Sequence, residues 1–112
     1  MKTQDLIGPA LDWAVAKCEG AISDDIDDFC LSTPGEYAYS TDWSQGGPII
    51  EREGIGAMET EAGSGEWEAF IWLNPDMHIP LIQEGPTPLI AAMRCFVASK
   101  MGDTVEIPEA LA

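Results

Sequence analysis

One short segment of the chain, residues 39–53, concentrates side chains that can contact a ligand. Its polar and aromatic candidates are Ser40, Thr41, Asp42, Trp43 and Gln45. Their hydroxyl, carboxylate and amide groups can form hydrogen bonds, and an indole offers a flat face for stacking. Gly46 and Gly47 follow, and glycines allow the backbone to approach a ligand closely. The segment therefore predicts a binding site on a loop.

A structural role explains the same segment equally well. Serine, threonine and aspartate before a turn are typical helix caps, because their side chains pair with main-chain groups that have no other partner. A Gly-Gly-Pro sequence is ordinary connecting chain. A ligand site and a helix cap with a connection both stay open.

The last predicted helix supplies two further candidates. Arg94 lies between a large and a small apolar face of that helix, where an unpaired guanidinium would be strongly destabilising. It needs either an internal carboxylate, such as Asp42 or Glu51, or an anionic ligand. Thr87 lies at the helix start, where main-chain N–H groups can bind anions. We expect this helix start and the 39–53 loop to form one site.

No catalytic or metal-binding signature is present in the sequence. A Ser-His-Asp set, a P-loop and a G-x-G-x-x-G motif are all missing. The single histidine, His78, has no partner and is typical of a surface or capping residue. The three cysteines lack C-x-x-C spacing, which argues against zinc and disulfides and favours a reducing cytosol. They are Cys18, Cys30 and Cys95. We expect a non-enzymatic protein without cofactor or metal.

Acidic residues dominate the composition. The 112 residues include 20 Asp and Glu against 5 Lys and Arg, for a formal charge of −15. Direct binding to nucleic acid or to an anionic membrane is therefore excluded, whereas basic partners would be attracted. Residues 24–28 carry four aspartates, but Phe29 takes the position where a calcium loop requires glycine, so we expect a solvated acidic loop. No signal peptide or membrane span is predicted.

The pattern of the chain predicts a single α+β domain over residues 1–112, with two main helices packed on a small antiparallel sheet. One helix is expected over 9–18, between Gly8 and Gly20. The other begins at Pro88 and ends before Gly102. Its length and apolar content predict burial on both faces.

Strands are predicted over 55–61 and 66–73, joined as a hairpin. The second strand becomes apolar on both sides, so it is expected to be central, with aromatic side chains in the core. These aromatic residues are Trp67, Phe70 and Trp72. Residues 74–85, which contain two prolines, are expected to form a loop. Trp13 is expected to make a second contact within the domain, and it or the hairpin could also support a homo-oligomer.

Three segments resemble a known family. They run from Leu11 to Gly20, from Tyr39 to Ile55, and from Gly85 to Arg94 with the tail to Leu111. Together they are similar to the small acidic NinX-like proteins of lambdoid bacteriophages and prophages. The resemblance implies a phage-encoded accessory protein in the host bacterial cytosol, and it supplies no mechanism. Residues 21–38 and 56–84 depart most from the family pattern.

Three functions remain open at this point. The first is binding of a small, nucleotide-like ligand, which would counteract host defence as small accessory phage proteins often do. The second is an acidic inhibitor that occupies a basic nucleic-acid-binding site on a host protein. The third is a small enzyme that uses acidic residues, which a strongly raised pKa of Asp42 or Glu51 beside a cleft would favour.

Overall fold

Three α-helices and a three-stranded antiparallel sheet form the part of the chain that the computed structural model describes, residues 1–20, 36–74, 79–108 and 111. The elements are α1 (Gly8–Glu19), α2 (Trp43–Glu53), β1 (Gly56–Glu59), β2 (Trp67–Asn74), β3 (Ile79–Gly85) and α3 (Pro88–Met101). A short 3-10 turn, Thr3–Asp5, precedes them. The predicted α+β class is confirmed.

Helix α3 lies between the sheet and the other two helices, and contacts all of them. Thr87 caps its start, since the Thr87 hydroxyl accepts a hydrogen bond from the Ile90 N–H at 3.1 Å. Pro88 occupies the first helical position, where its missing N–H leaves no intrahelical bond unmade. Nine of its residues are buried, so the predicted burial of both faces is confirmed.

Helix α1 is confirmed with its ends within one residue of the prediction. Gly20 ends it in the left-handed conformation, with φ of 70°, which glycine adopts without steric penalty. Trp13 is only 7% exposed, so the expected second contact within the domain is also confirmed. None of the helices in the described residues has the length and apolar continuity that a membrane crossing requires.

The prediction of a loop over 39–53 is wrong for residues 43–53, which form α2. Glycines and an internal proline disfavour a helix locally, and Pro48 cannot donate the usual bond to the carbonyl four residues earlier. The Asp42 cap at the start and the left-handed Gly54 at the end favour it. Burial of Ile49 against the core then adds the tertiary stabilisation that the local sequence does not reveal.

The predicted hairpin is confirmed, with β1 pairing antiparallel to β2 and β2 in the centre of the sheet. The loop predicted over 74–85 is wrong for residues 79–85, which form β3. Pro80 lies opposite Trp72 on this outer strand. A proline is tolerated there because its nitrogen can face away from the neighbouring strand, where no ladder bond is lost.

The two faces of the sheet differ in environment. Ala69 and Ile71 point towards α3 and are buried, and Trp67 is packed against the same core. The opposite face, which we call the open face, carries no helix of the described chain. Its residues are Met58, Glu68, Phe70, Trp72, Pro80, Ile82 and Glu84. The predicted core role of Trp72 is wrong, because 46% of this residue is exposed.

Phe70 also departs from the predicted core position. Its ring lies across β1 at Gly56, where an added Cβ would come within 2.6 Å of a ring carbon. The absence of a side chain at Gly56 therefore lets the aromatic ring cover the neighbouring strand on the open face. Trp67 is the one aromatic side chain of β2 that packs in the core as predicted.

Candidate functional site

The turn that precedes α2 is tied to α1 by a buried hydrogen-bond pair. Ser40, which is 1% exposed, donates to Asp12 Oδ1 from its main-chain N–H at 2.9 Å and from its hydroxyl at 2.7 Å. Burial raises the pKa of Asp12, while these two hydrogen bonds act in the opposite direction. The hydrogen-bond donors of the candidate residue Ser40 are therefore paired with Asp12 inside the protein.

Asp42 caps α2 and organises the residues around it. Its carboxylate accepts hydrogen bonds from the Ser44 N–H at 2.9 Å, the Ser44 hydroxyl at 2.7 Å and the Gln45 amide at 3.3 Å. These hydrogen bonds lower the pKa of Asp42, and the one from the Ser44 hydroxyl has the largest effect. Gln45 in turn accepts from the Ala38 N–H at 2.9 Å. Asp42 and Gln45, which the sequence predicts as ligand contacts, are therefore part of the helix cap and the turn before it.

The two glycines of the segment have different surroundings. Gly46 is buried, and an added Cβ there would collide with the Tyr39 carbonyl and lie 2.6 Å from a Leu89 methyl. Gly46 therefore lies in close contact with the main chain of the preceding turn at Tyr39 and with the Leu89 side chain of α3. At Gly47 the nearest atom to an added Cβ is 3.9 Å away on Trp43, so this position has room.

Three candidates of the segment and the helix start reach the surface. Trp43 is 55% exposed, and Thr41 and Thr87 are exposed as well. The Thr87 hydroxyl already accepts the capping hydrogen bond of α3. A ligand-binding role for these residues stays a prediction.

Arg94 has an internal partner, but neither carboxylate predicted for it. Its Nε donates to the Leu6 carbonyl and its Nη1 to the Glu84 carbonyl, each at 2.7 Å. The expected pairing with Asp42 or Glu51 is wrong, because main-chain carbonyl oxygens take that place. Burial lowers the pKa of Arg94, and the charge of Asp5 partly offsets this effect.

The structure does not bring Arg94 together with the 39–53 segment. Arg94 lines a cleft of about 660 Å³ between the N-terminal turn, the hairpin turn and β3. The other lining residues are Gln4, Asp5, Gly65, Glu66, Ile82, Gln83, Glu84, Gly85 and Pro86. None belongs to residues 39–53, so the single site expected from the sequence is divided into two places.

Sequence reasoning missed the open face of the sheet. Glu68, Phe70 and Trp72 alternate along β2, which does place them on one face. The face was missed because β3 was predicted as a loop. The two prolines of residues 74–85, one of which is Pro80, favoured a loop over a strand. With β3 recognised, Ile82 and Glu84 would have been placed beside Phe70 and Glu68.

Two properties of the described side chains concern metal binding and thiol reactivity. In the described ranges no three His, Cys, Asp or Glu residues cluster closely enough to hold a metal ion. Burial raises the pKa of Cys18 to about 11 and that of Cys95 to about 12, so both are neutral thiols near pH 7. The aspartates of residues 24–28, Cys30 and His78 lie outside the described residues.

These observations define a small acidic α+β protein in which the described helices cover one face of the sheet and leave the open face without a helix. The comparison with known families matches residues 2–100 to the family described as "Bacteriophage P22, NinX". The chain belongs to this NinX family of phage proteins, which confirms the resemblance seen in the sequence. The comparison with curated proteins gives no match.

Substitution of the two glycines tests the helix contact directly. Gly46→Ala should lower the free energy of unfolding by about 1–3 kcal/mol, because the new methyl group overpacks the contact with α3. Gly47→Ala is the matched control and should raise it by about 0.5–1 kcal/mol, as expected for alanine in place of glycine within a helix. Urea unfolding measures both. Equal effects of the two substitutions would contradict the close approach at Gly46.

The buried Asp12 predicts a pH-dependent difference between the wild type and Asp12→Asn, which keeps an oxygen acceptor for Ser40. Since burial raises the folded-state pKa above the unfolded value, the contribution of Asp12 to stability is full below the unfolded pKa. It is lost as the pH rises through the folded pKa. The stability of Asp12→Asn relative to wild type should therefore increase with pH from about 3 to 7. Urea unfolding at several pH values checks this, and a falling difference would contradict it.

Proposed function

We propose that this NinX family protein is a non-enzymatic accessory protein that binds a basic host protein through the open face of its sheet. By this binding it would occupy a nucleic-acid-binding site of the host protein and counteract a host defence. The observation that carries the proposal is the combination, on one exposed face, of large apolar side chains with two carboxylates that take part in no ion pair among the described residues.

The apolar part of the open face is contiguous across the strands. Phe70 lies opposite Ile82, and Trp72 lies opposite Pro80. Met58, Trp72 and Ile82 are 53%, 46% and 49% exposed. Large exposed apolar side chains that are neighbours on one surface are typical of interaction sites, because their burial on binding is favourable.

The charged part of the open face favours a basic partner. Glu68 and Glu84 lie directly opposite each other on neighbouring strands, and like charges in this arrangement are destabilising. The ion pairs of the described residues do not include either of them. A lysine or arginine of a partner would relieve this repulsion, whereas a second copy of this chain would increase it.

The distribution of the basic residues also favours a basic partner. Arg52 pairs with Glu19 and Glu53, and Lys100 pairs with Glu53 at 3.2 Å. Lys17 lies 5.8 Å from the ring centroid of Trp13. Three of the 5 cationic residues of the chain therefore make their contacts with side chains of the helices. None of these three cations belongs to the open face, and an acidic field accelerates association with basic proteins.

Charge reversal on the open face tests this function. The variant Glu68→Lys with Glu84→Lys and the control Glu51→Lys with Glu61→Lys each change the net charge by +4, from −15 to −11. The control positions are exposed and lie outside the open face. Immobilised wild type and control should capture the same basic protein from bacterial cytosol. The open-face variant should capture at least about tenfold less of this protein.

The captured protein should also dissociate as the salt concentration rises, because exposed charges are screened. Equal loss in both variants would show that only total charge matters, and would contradict a defined binding face. Equal retention in both variants would contradict the proposal as well.

A nucleotide-like ligand at the 39–53 segment is the second candidate. The exposed indole of Trp43 favours it, since aromatic rings of this kind stack on bases. Native mass spectrometry of gently purified wild type, Trp43→Ala and Trp72→Ala separates the two functions. We expect the mass of the protein alone in all three. A small molecule that is lost only in Trp43→Ala would instead establish the second candidate.

A further inference from the structure

Strand β3 is an edge strand among the described residues, and the pairing of the sheet determines which of its main-chain groups face outwards. The Thr60 N–H donates to the Glu66 carbonyl at 2.9 Å, so alternate residues of β2, beginning with Glu66, direct their main-chain groups towards β1. Ala69 and its alternate neighbours then face β3 and pair with residues such as Gln83. Pro80, Ile82 and Glu84 therefore face away from the sheet.

The contacts of these three residues agree with that assignment. The Glu84 carbonyl accepts from Arg94 Nη1 at 2.7 Å, which agrees with an outward-facing group. Pro80 has no N–H to offer. The N–H groups of Ile82 and Glu84 donate to no main-chain carbonyl of the described chain outside the sheet. Such an edge is a template for another strand.

A groove runs beside this edge. The cleft of about 660 Å³ that contains Arg94 has Ile82 to Gly85 on one side and Gln4 and Asp5 on the other. A second cleft of about 310 Å³ shares Gln4 and Gln83 with the first, so the two are adjacent. We call them together the edge groove.

The wall of the edge groove opposite β3 is fixed in place. The N-terminal amino group donates to the Val105 carbonyl at 2.9 Å, and the Thr3 hydroxyl donates to the Gly102 carbonyl at 2.7 Å. Arg94 joins both walls through the carbonyls of Leu6 and Glu84. The edge groove is therefore a built feature of the fold, with a width set by these bonds.

The charges along the edge groove select a basic occupant. Its carboxylate residues are Asp5, Glu66, Glu84 and Asp103. Against them stand Lys2 and Arg94, and Arg94 directs two of its donors to carbonyl oxygens. A second copy of this chain, with the same charge of −15, is a poor occupant of such a groove.

We propose that the free edge of β3 binds an extended segment of a basic partner protein as a fourth strand of the sheet. The Ile82 N–H and C=O and the Glu84 N–H pair with the main chain of that segment, and its lysines or arginines meet the carboxylates of the edge groove. This inference rests on the proposed function and specifies how the partner is bound. Because Ile82 and Glu84 also belong to the open face, one partner can contact both surfaces.

A synthetic peptide tests strand addition without knowledge of the natural partner. The probe is an acetylated and amidated heptapeptide of alternating lysine and valine, and its control has the same sequence with N-methyl groups on alternate amides. Both have the same charge, but only the probe keeps every main-chain donor. The probe should bind at least about tenfold more tightly than the control at low salt. Hydrogen exchange of the Ile82 and Glu84 amides should slow when the probe is added and should not change when the control peptide is added.

Two substitutions at Glu84 test strand addition independently of the change in the peptide. Glu84→Pro removes the outward N–H and leaves the ladder to β2 intact, as Pro80 does on the same strand, and Glu84→Gln removes only the charge. Probe binding should weaken at least about tenfold in Glu84→Pro and about twofold in Glu84→Gln. If Glu84→Pro does not fold, the two peptides on wild-type protein still decide.

The outcomes separate this inference from the proposed function. Equal binding of the two peptides, or of the two Glu84 variants, would overturn strand addition and leave binding of a basic partner in place. Failure of both peptides to bind would also overturn strand addition. Retention of the cytosolic partner by the open-face charge variant would contradict the proposed function, whereas the two peptides and the Glu84→Pro variant bear on strand addition.

Discussion

The burial of α3 on all sides is the constraint on which the rest of the structure depends. This helix packs on the sheet with one side and on α1 and α2 with the other, so its neighbours must approach very closely. Gly46 provides that approach from α2, and Gly85 provides it from β3, where an added Cβ would lie 2.8 Å from the Ala91 nitrogen. All the described helices that pack on the sheet lie on one of its faces, so no helix of the described chain covers the open face. The acidic composition then makes that remaining face a surface for basic partners.

The sequence predicted those elements whose local signals agree with their final environment. Helices α1 and α3 have a proline in their first turn and a glycine directly after their last residue, and the hairpin shows alternating residues around a glycine-rich turn. Helix α2 and strand β3 were missed because their local signals oppose the tertiary structure. In α2, the Asp42 cap and the packing of Gly46 outweigh two glycines and a proline. In β3, Pro80 is compatible with a strand only because that strand lies at an edge, which is a property of the whole sheet.

The candidate site was harder to predict than the fold, because capping and ligand binding use the same side chains. Ser40 and Asp42 have the groups that a ligand would need, and only the positions of Asp12 and Ser44 reveal that they pair internally. For Arg94, the sequence predicted either an internal carboxylate or an anionic ligand, because no sequence pattern indicates a main-chain carbonyl as a partner. The exposure of Trp72 was equally hidden, since a strand that is apolar on both sides gives no sign of which face lacks a cover.

The central claim is that the protein acts through the open face of its sheet, and fluorine NMR tests it most directly. The 4 tryptophans can be replaced by 5-fluorotryptophan, which gives one signal for each and remains observable in bacterial extract. Trp72 reports on the open face and Trp43 on the 39–53 segment, with similar exposures of 46% and 55%. Addition of host cytosol should broaden or shift the Trp72 signal and leave the Trp43 signal unchanged. A change at Trp43 with an unaltered Trp72 would contradict the account.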